Sequence, residues 1–234
     1  MIIHRNKRRR RAQYHEAEGE GENVIVISSP QGGGSSDKKL PEIVVENTHI
    51  YFYEEITVES VRELIVTLKR MRTSILDFTR DMELSEPPPI HLHINSEGGD
   101  ALAGLSASFA ILSFRDVPIY TYVEGSVASA ATFISIMGAQ RFIQPNSFML
   151  IHQVSSGVWG TYADIVDEKV SLDKVMARVW TIYEEQTKIT KEKLDELLKS
   201  NLLLNAEECL SLGFVDEILE SPKREVCFRF GLVY

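Results

Sequence analysis

The sequence predicts an α/β domain with a largely parallel sheet, because predicted strands and predicted helices alternate along most of the chain. Short apolar runs that are typical of strands occupy residues 50–53, 90–94 and 117–123. The segments between them place apolar residues at helical spacing. Hydrophobic residues make up 44% of the 234 residues, which is enough for one domain with a substantial core.

Each element follows from a local signal. Thr57 is a suitable N-cap for the first helix, and residues 95–99 form a turn because they include Gly98 and Gly99. The later predicted elements are helices over 100–114 and 127–137, strands over 141–143 and 148–152, a long helix over 162–188, shorter helices after Thr190 and Asn205, and a last strand over 214–218.

The composition divides the chain into three segments. Residues 1–41 are predicted to be a flexible extension, first basic and then rich in Gly, Glu and Ser, in which residues 24–27 could form a short strand. Residues 42–221 form the domain, and residues 222–234 form a C-terminal tail. Basic residues cluster at 5–11 although the net charge of the chain is −9. A solvated arm therefore explains this run better than a nucleic-acid patch does.

Several functional classes are disfavoured by what the sequence lacks. The most apolar stretch, residues 127–139, is too short to cross a bilayer, and the basic start lacks the apolar run of a secretory signal. Cys209 and Cys227 have no metal-binding spacing. The sequence contains neither a phosphate-binding loop nor a Gly-x-Ser-x-Gly elbow. We therefore expect a cytoplasmic protein with no cofactor, no metal and no ATP hydrolysis of its own.

Ser129 is the first candidate for chemistry. It lies among small residues, just after a predicted strand and at the start of a helical pattern, where free N–H groups favour negative charge. Such donors stabilise the oxyanion that forms when a hydroxyl attacks a carbonyl. Taken alone, a serine among alanines more often reflects helix packing.

His152 is the second candidate. It ends a predicted strand, and α/β proteins place their sites at the carboxyl ends of parallel strands. There it could take the proton of Ser129 and return it to a leaving amine. His91 and His93 alternate on another strand with no third ligand nearby, so we interpret them as structural.

These signals occur in a fixed order that resembles the ClpP family of peptidases. The motifs are Asn-Ser-Glu-Gly-Gly at 95–99, Gly-Ser-Val-Ala-Ser-Ala at 125–130, Arg-Phe-Ile-Gln-Pro-Asn-Ser at 141–147 and Met-Leu-Ile-His-Gln at 149–153. The similarity covers about residues 43–220. It implies the ClpP and crotonase-like fold of repeated βα units, with the helix over 162–188 as a protruding handle.

The resemblance also implies roles for individual residues. Ser129 would be the nucleophile and His152 the general base, and the N–H groups of Gly99 and Ala130 would form the oxyanion hole. The segment 153–160 would pair with an extended substrate as a strand. The residues expected to bind substrate are Gly98, Gln153, Val154 and Ser155.

The assembly that the resemblance implies is a pair of stacked heptameric rings with the active sites inside. The ring could be homomeric or could include a related ClpP-type subunit. An AAA+ unfoldase would dock outside and feed in unfolded protein, using ATP that this chain does not touch.

One departure from the family pattern concerns the third member of the triad, where Asn201 stands in place of an aspartate. An amide can accept the ring N–H but supplies no charge, and the same exchange in a chymotrypsin-type triad costs about 10⁴ in turnover. Asn201 could orient His152 in a slow enzyme, Asp195 or Glu196 could substitute, or activity could require a mixed ring. Milder departures are Glu97, Val154 and an apparent insertion over 80–89.

Three functions remain open at this point. The leading hypothesis is a peptidase subunit that cleaves unfolded polypeptides by acyl-enzyme chemistry. A structural or regulatory ring subunit of low activity is the second, and a ClpP-like viral head-maturation protease that works without an unfoldase is the third. An acyl-CoA enzyme of the crotonase type is disfavoured by the pair of Ser129 and His152.

Overall fold

The computed structural model describes residues 43–220. Its strands are β1 (Ile43–Glu46), β2 (His49–Phe52), β3 (Ile90–Ser96), β4 (Ile119–Ala128), β5 (Gln140–Ile143), β6 (Phe148–Leu150), β7 (Leu203–Leu204) and β8 (Glu217–Ile218). Its helices are α1 (Val58–Asp81), α2 (Ala101–Leu112), α3 (Ala130–Ser135), α4 (Tyr162–Gln186), α5 (Lys191–Leu198) and α6 (Ala206–Leu212). The predicted extension over 1–41, its short strand over 24–27 and the tail over 222–234 lie outside the described residues.

The main sheet has the strand order β1-β2-β3-β4-β5-β8. All pairs from β2 to β8 are parallel, whereas β1 pairs with β2 in the antiparallel sense. The far end of β4 also pairs with β6 in parallel, and β7 runs antiparallel to β6. The predicted α/β fold with a largely parallel sheet is therefore confirmed.

The core lies between the sheet and the helices, and all six helices contribute buried residues to it. The central strands contribute fully buried aliphatic side chains such as Leu92, Ile94 and Val123, and α1 contributes Leu64 and Leu68. Burial of this apolar surface is the main stabilising term of the fold. The predicted N-cap of α1 is confirmed, because the Thr57 hydroxyl accepts the N–H of Ser60 at 3.0 Å in a capping box.

The predicted junction between the fourth strand and the third helix is wrong, and the correction bears on the site. The strand predicted over 117–123 runs on to Ala128, and the helix predicted over 127–137 covers only Ala130–Ser135. The reason is tertiary, because Val127 and Ala128 pair with Met149 and Leu150 of β6. Small residues that look helical in isolation are thereby held extended.

Other differences are smaller. The sequence did not predict β1 or the two-residue strand β7, and the last strand covers only Glu217–Ile218 of the predicted 214–218. The long helix ends at Gln186 rather than at residue 188. Residues 80 and 81 of the apparent insertion continue α1 instead of leaving it.

Helix α4 extends well beyond the core. Its buried residues are Val179, Ile182 and Tyr183, which all lie in its last third. Residues 162–167 are all exposed, so the start of the helix projects from the domain, as expected of a handle helix. Within residues 43–220, none of the helices combines the length and apolar character that a membrane crossing requires.

The half-exposed face of the sheet carries a cluster of imidazole and phenol rings. His49 Nδ1 lies 2.8 Å from His93 Nε2, and His93 Nδ1 lies 2.9 Å from Glu124 Oε1. His91 stacks on His49 with ring centres 4.4 Å apart and bonds to Tyr122 Oη at 2.8 Å. Among the described residues, no group of three potential ligands is arranged to hold a metal ion. The cluster lowers the pKa of both His49 and His91, first through burial and then through the neighbouring imidazoles.

We expect this cluster to make stability depend on pH. Because the pKa values of His49 and His91 are lower in the folded state, the unfolded chain binds protons more strongly. The free energy of unfolding should be highest above about pH 6.5, the ordinary histidine pKa, and should fall as the pH drops through that value. Carboxylates with lowered pKa, such as Glu124, lose their contribution only at lower pH, below about 4.3. Urea unfolding midpoints between about pH 8 and 5 measure the slope, and His91→Gln should flatten it. Parallel slopes for the two proteins would contradict this account.

Candidate active site

Ser129 lies at the sharp junction between β4 and α3. Its backbone has φ +54° and ψ −126°, a conformation that residues with a Cβ rarely adopt. The surrounding bonds hold it there: its N–H donates to the carbonyl of Leu150 at 2.8 Å, and its carbonyl accepts from Thr132 Oγ1 at 2.6 Å. A strained, half-buried serine at the end of a parallel strand is typical of a functional position.

A buried contact fixes α3 to α4 directly behind Ser129. The hydroxyls of Thr132 and Tyr183 lie 2.6 Å apart, and Tyr183 is fully buried. Burial raises the pKa of Tyr183 well above its usual value, so the phenol stays neutral and hydrogen-bonded. The serine junction is therefore anchored to the handle helix as well as to the sheet.

The Gly98-Gly99 turn packs directly against the serine junction. Gly98 has φ +89°, and a Cβ there would lie 2.6 Å from the carbonyl oxygen of Ala128 and 2.7 Å from Ser129 Cβ. Gly99 has φ +149°, and its Cβ would lie 2.2 Å from the carbonyl oxygen of Ile56. Glycine is required at both positions because neither the backbone angles nor the space accept a side chain.

Two backbone amides remain available beside Ser129. The N–H groups of Gly99 and Ala130 donate to no acceptor in the part of the chain that the structure describes. The two turns that carry them are in contact, since a Cβ on Gly98 would lie 3.1 Å from the Ala130 nitrogen. Unpaired donors next to a serine hydroxyl are what an oxyanion requires.

Ser129 and His152 line the same cleft, which has a volume of about 480 Å³. Gly99, Gln153, Val154 and Ser155 line it as well. Gly98 lies in the neighbouring depression beside Glu97 and Ser96, and Ala130 is buried with its side chain in the core. The fold thus brings together most of the residues that were singled out in the sequence.

His152 is held by the main chain. Its Nδ1 lies 2.8 Å from the carbonyl oxygen of Gln153, and because a carbonyl only accepts, the ring donates through Nδ1. In the neutral imidazole this leaves Nε2 unprotonated and able to accept a proton. Within the described residues, no hydrogen bond joins the Ser129 hydroxyl to this ring.

Asn201 lies on the exposed segment after α5, and no hydrogen bond in the described chain joins it to His152. The two segments are adjacent, because the N–H of Gln153 donates to the carbonyl of Leu198 at 2.9 Å. The two acids considered as substitutes form ion pairs on α5 instead, Asp195 with Lys199 at 2.7 Å and Glu196 with Lys193 at 3.0 Å.

The structure also places residues in the cleft that sequence reasoning missed. Phe133 of α3 and Leu172 and Val175 of α4 form an apolar wall, and Asp100 and Glu168 add carboxylates. Helical spacing in α4 signals which residues share a face, but it does not reveal that this face meets the serine. That information comes only from the packing of α4 against α3.

The fold and the cleft define an α/β protein of the ClpP type. Residues 33–222 match the family model described as Clp protease. The chain therefore belongs to the Clp protease family, and this membership supports a peptidase role.

Two relatives from different bacteria illustrate the similarity. The ATP-dependent Clp protease proteolytic subunit 2 of Treponema denticola is 35% identical over 142 residues, which cover 60% of this chain and 70% of that protein. The subunit of the same name from Chlamydia trachomatis serovar D is 33% identical over 144 residues, with the same coverage of 60% and 70%.

A solved structure agrees with the fold. An Asn-to-Asp mutant of ClpP1 from Listeria monocytogenes superimposes with a TM-score of 0.63 and 24% sequence identity. The match covers 75% of this chain and 92% of that one.

We expect Gly98→Ala to destabilise the protein by about 2–4 kcal/mol, because a methyl group at positive φ would overlap the backbone of the serine junction. Gly157→Ala is the matched control, since a Cβ there meets nothing within 4 Å and should change stability by less than about 1 kcal/mol. Urea unfolding at one fixed protein concentration measures both. Equal effects of the two substitutions would show that the Gly98 turn does not support the junction.

Proposed function

We propose that the chain is a serine endopeptidase subunit in which Ser129 is the nucleophile and His152 the general base. The observation that carries the proposal is the shared cleft of Ser129, His152 and Gly99, with two unpaired amides beside the serine. All three residues lie within residues 33–222, the range that matches the Clp protease family model.

The chemistry follows from the positions of donors and acceptors. His152 Nε2 takes the hydroxyl proton as Ser129 Oγ bonds to the carbonyl carbon of the substrate, and the amides of Gly99 and Ala130 stabilise the oxyanion. The imidazolium then returns the proton to the leaving amine, which leaves an acyl-enzyme. Water, activated by the same histidine, releases the second product.

The loop after His152 suits an extended substrate. Residues 153–160 form neither helix nor strand, and Gln153 and Ser155 are exposed at the edge of the cleft. An extended polypeptide can pair with such a segment through its main chain, whereas a folded protein presents few free strands. Unfolded polypeptides are therefore the proposed substrates, with Gly98, Gln153, Val154 and Ser155 as binding residues.

Exposed apolar surfaces support self-association. Leu102 and Phe109 on α2 are 64% and 73% exposed, and Trp159 and Tyr162 at the start of the handle are 101% and 84% exposed. Patches of this kind mark interaction sites. We propose stacked heptameric rings in the cytoplasm, homomeric or mixed with a related subunit, to which an AAA+ unfoldase delivers substrate.

We expect Ser129→Ala and His152→Ala each to lower kcat/KM for a fluorogenic peptide by at least about 10³-fold. Ser74→Ala, on an exposed position of α1 outside the cleft, is the control and should retain activity. Mass spectrometry after reaction with a fluorophosphonate should find the label on Ser129. Equal cleavage by wild type and Ser129→Ala would refute the assignment.

A low-activity ring subunit is the second candidate function, and the observation that favours it is the exposed Asn201. An amide cannot stabilise the imidazolium that forms during attack, and the carbonyl of Gln153 carries only a partial charge. Both features predict slow turnover with an otherwise complete site.

We expect Asn201→Asp to raise kcat/KM by about tenfold or more, because a carboxylate can accept a hydrogen bond from Nδ1–H and stabilise the imidazolium by its charge. Asn201→Ala on the same assembled protein separates this effect from loss of the amide. An unchanged rate in both variants would assign the orientation of His152 to the Gln153 carbonyl and would remove Asn201 from the site.

A further inference from the structure

The described residues that line the Ser129 cleft give it a net negative charge. Among the described residues that line it, Asp100 and Glu168 are acidic, and neither a lysine nor an arginine is present. Of the described lining residues, His152 is the only other one with an ionisable side chain. A substrate bound there therefore meets negative charge without a compensating cation.

Asp100 and Glu168 differ in how far neighbouring groups stabilise their negative charge. Asp100 caps α2, and its Oδ1 accepts the N–H groups of Leu102 and Ala103 at 2.8 and 2.9 Å. This places its charge at the positive end of a helix, which partly offsets it. Glu168 lies within α4 and caps no helix of the described chain.

The Glu168 carboxylate is hydrogen-bonded to a neutral hydroxyl but is not paired with a cation among the described residues. It is half-buried on the handle helix α4, and the hydroxyl of Ser156 donates to its Oε1. The neighbouring cation, Lys169, pairs with Asp173 at 2.6 Å instead. No ion pair in the described chain neutralises Glu168.

Glu168 lies where its charge can act on a bound substrate polypeptide. Ser156 belongs to the loop after His152, along which the proposed substrate would run. The apolar wall of Phe133, Leu172 and Val175 lies in the same cleft. A residue with an apolar side chain can therefore fill this wall while a neighbouring side chain reaches the carboxylate.

We propose that Glu168 is a specificity-determining residue that favours polypeptides with a lysine or arginine next to an apolar residue at the scissile bond. This inference rests on the proposed peptidase function. Its physical basis is attraction between opposite charges at a partly buried site, where water screens less than it does on an open surface.

The test uses three fluorogenic peptides that share the same apolar residue at the cleaved bond and differ only in the adjacent residue, which is Lys, Gln or Glu. With the assembled full-length chain at low salt, kcat/KM should decrease in that order, with about a fivefold span between Lys and Glu. At about 1 M salt, where the screening length falls to about 3 Å, the span should shrink.

Two substitutions connect this ranking with Glu168. Glu168→Gln keeps an acceptor for Ser156 but should remove most of the span, and Glu168→Lys should invert it. Glu192→Gln, on the exposed face of α5 outside the cleft, removes the same net charge and should leave the span intact. Equal kcat/KM values for the three peptides in wild type, or an intact span in Glu168→Gln, would overturn the inference.

A binding measurement keeps this inference separate from the proposed function. Fluorescence anisotropy with Ser129→Ala protein ranks the affinities of the Lys and Glu peptides without cleavage. If wild type cleaves none of the peptides, the peptidase proposal fails, and the binding ranking alone decides the role of Glu168. A preference for Lys that disappears in the Ser129→Ala, Glu168→Gln double variant supports the role, and its absence in Ser129→Ala overturns it.

Discussion

The pairing of β4 with β6 is the constraint on which the whole site depends. Strand β4 continues past the end of its partner β5, and its last residues pair with β6. The carbonyl of Leu150 then takes the N–H of Ser129, while His152 follows two residues later. Ser129 and His152, the proposed nucleophile and base, therefore lie just beyond the ends of two hydrogen-bonded strands, and the pairing of these strands brings them to one edge of the sheet.

This arrangement costs conformational energy at one residue. A non-glycine residue at φ +54° and ψ −126° is strained by roughly 1–3 kcal/mol, and the strain persists only because neighbouring contacts compensate for it. Four contacts do so: the Leu150 carbonyl, the Thr132 hydroxyl, the buried Tyr183 and the packed Gly98 turn. The small residues around Ser129 are required because the turns approach so closely that larger side chains would overlap.

Much of the fold could be predicted from the sequence, because the signals for its strands and helices are local. Alternating strand and helix patterns predicted the α/β fold, and Thr57 predicted the first helix start. The end of β4 could not be predicted, since Val127 and Ala128 are extended only through pairing with a strand twenty residues away. Glu168 and Leu172 were missed for the same reason: their helical periodicity is visible, but the surface that they face is created by folding.

Charge explains why the backbone donors matter in this cleft. An oxyanion forming at Ser129 would be destabilised by the carboxylates of Asp100 and Glu168, because all three lie in one cavity without a lysine or arginine among its described lining residues. In the proposed mechanism the amides of Gly99 and Ala130 would offset this repulsion at short range, and the α2 N-terminus offsets part of the charge of Asp100. The charge of Glu168 is not offset by a cation, so a lysine or arginine of the substrate would supply the missing positive charge. The Glu168 carboxylate, which disfavours an oxyanion in an empty cleft, would thereby select substrates that carry a cation.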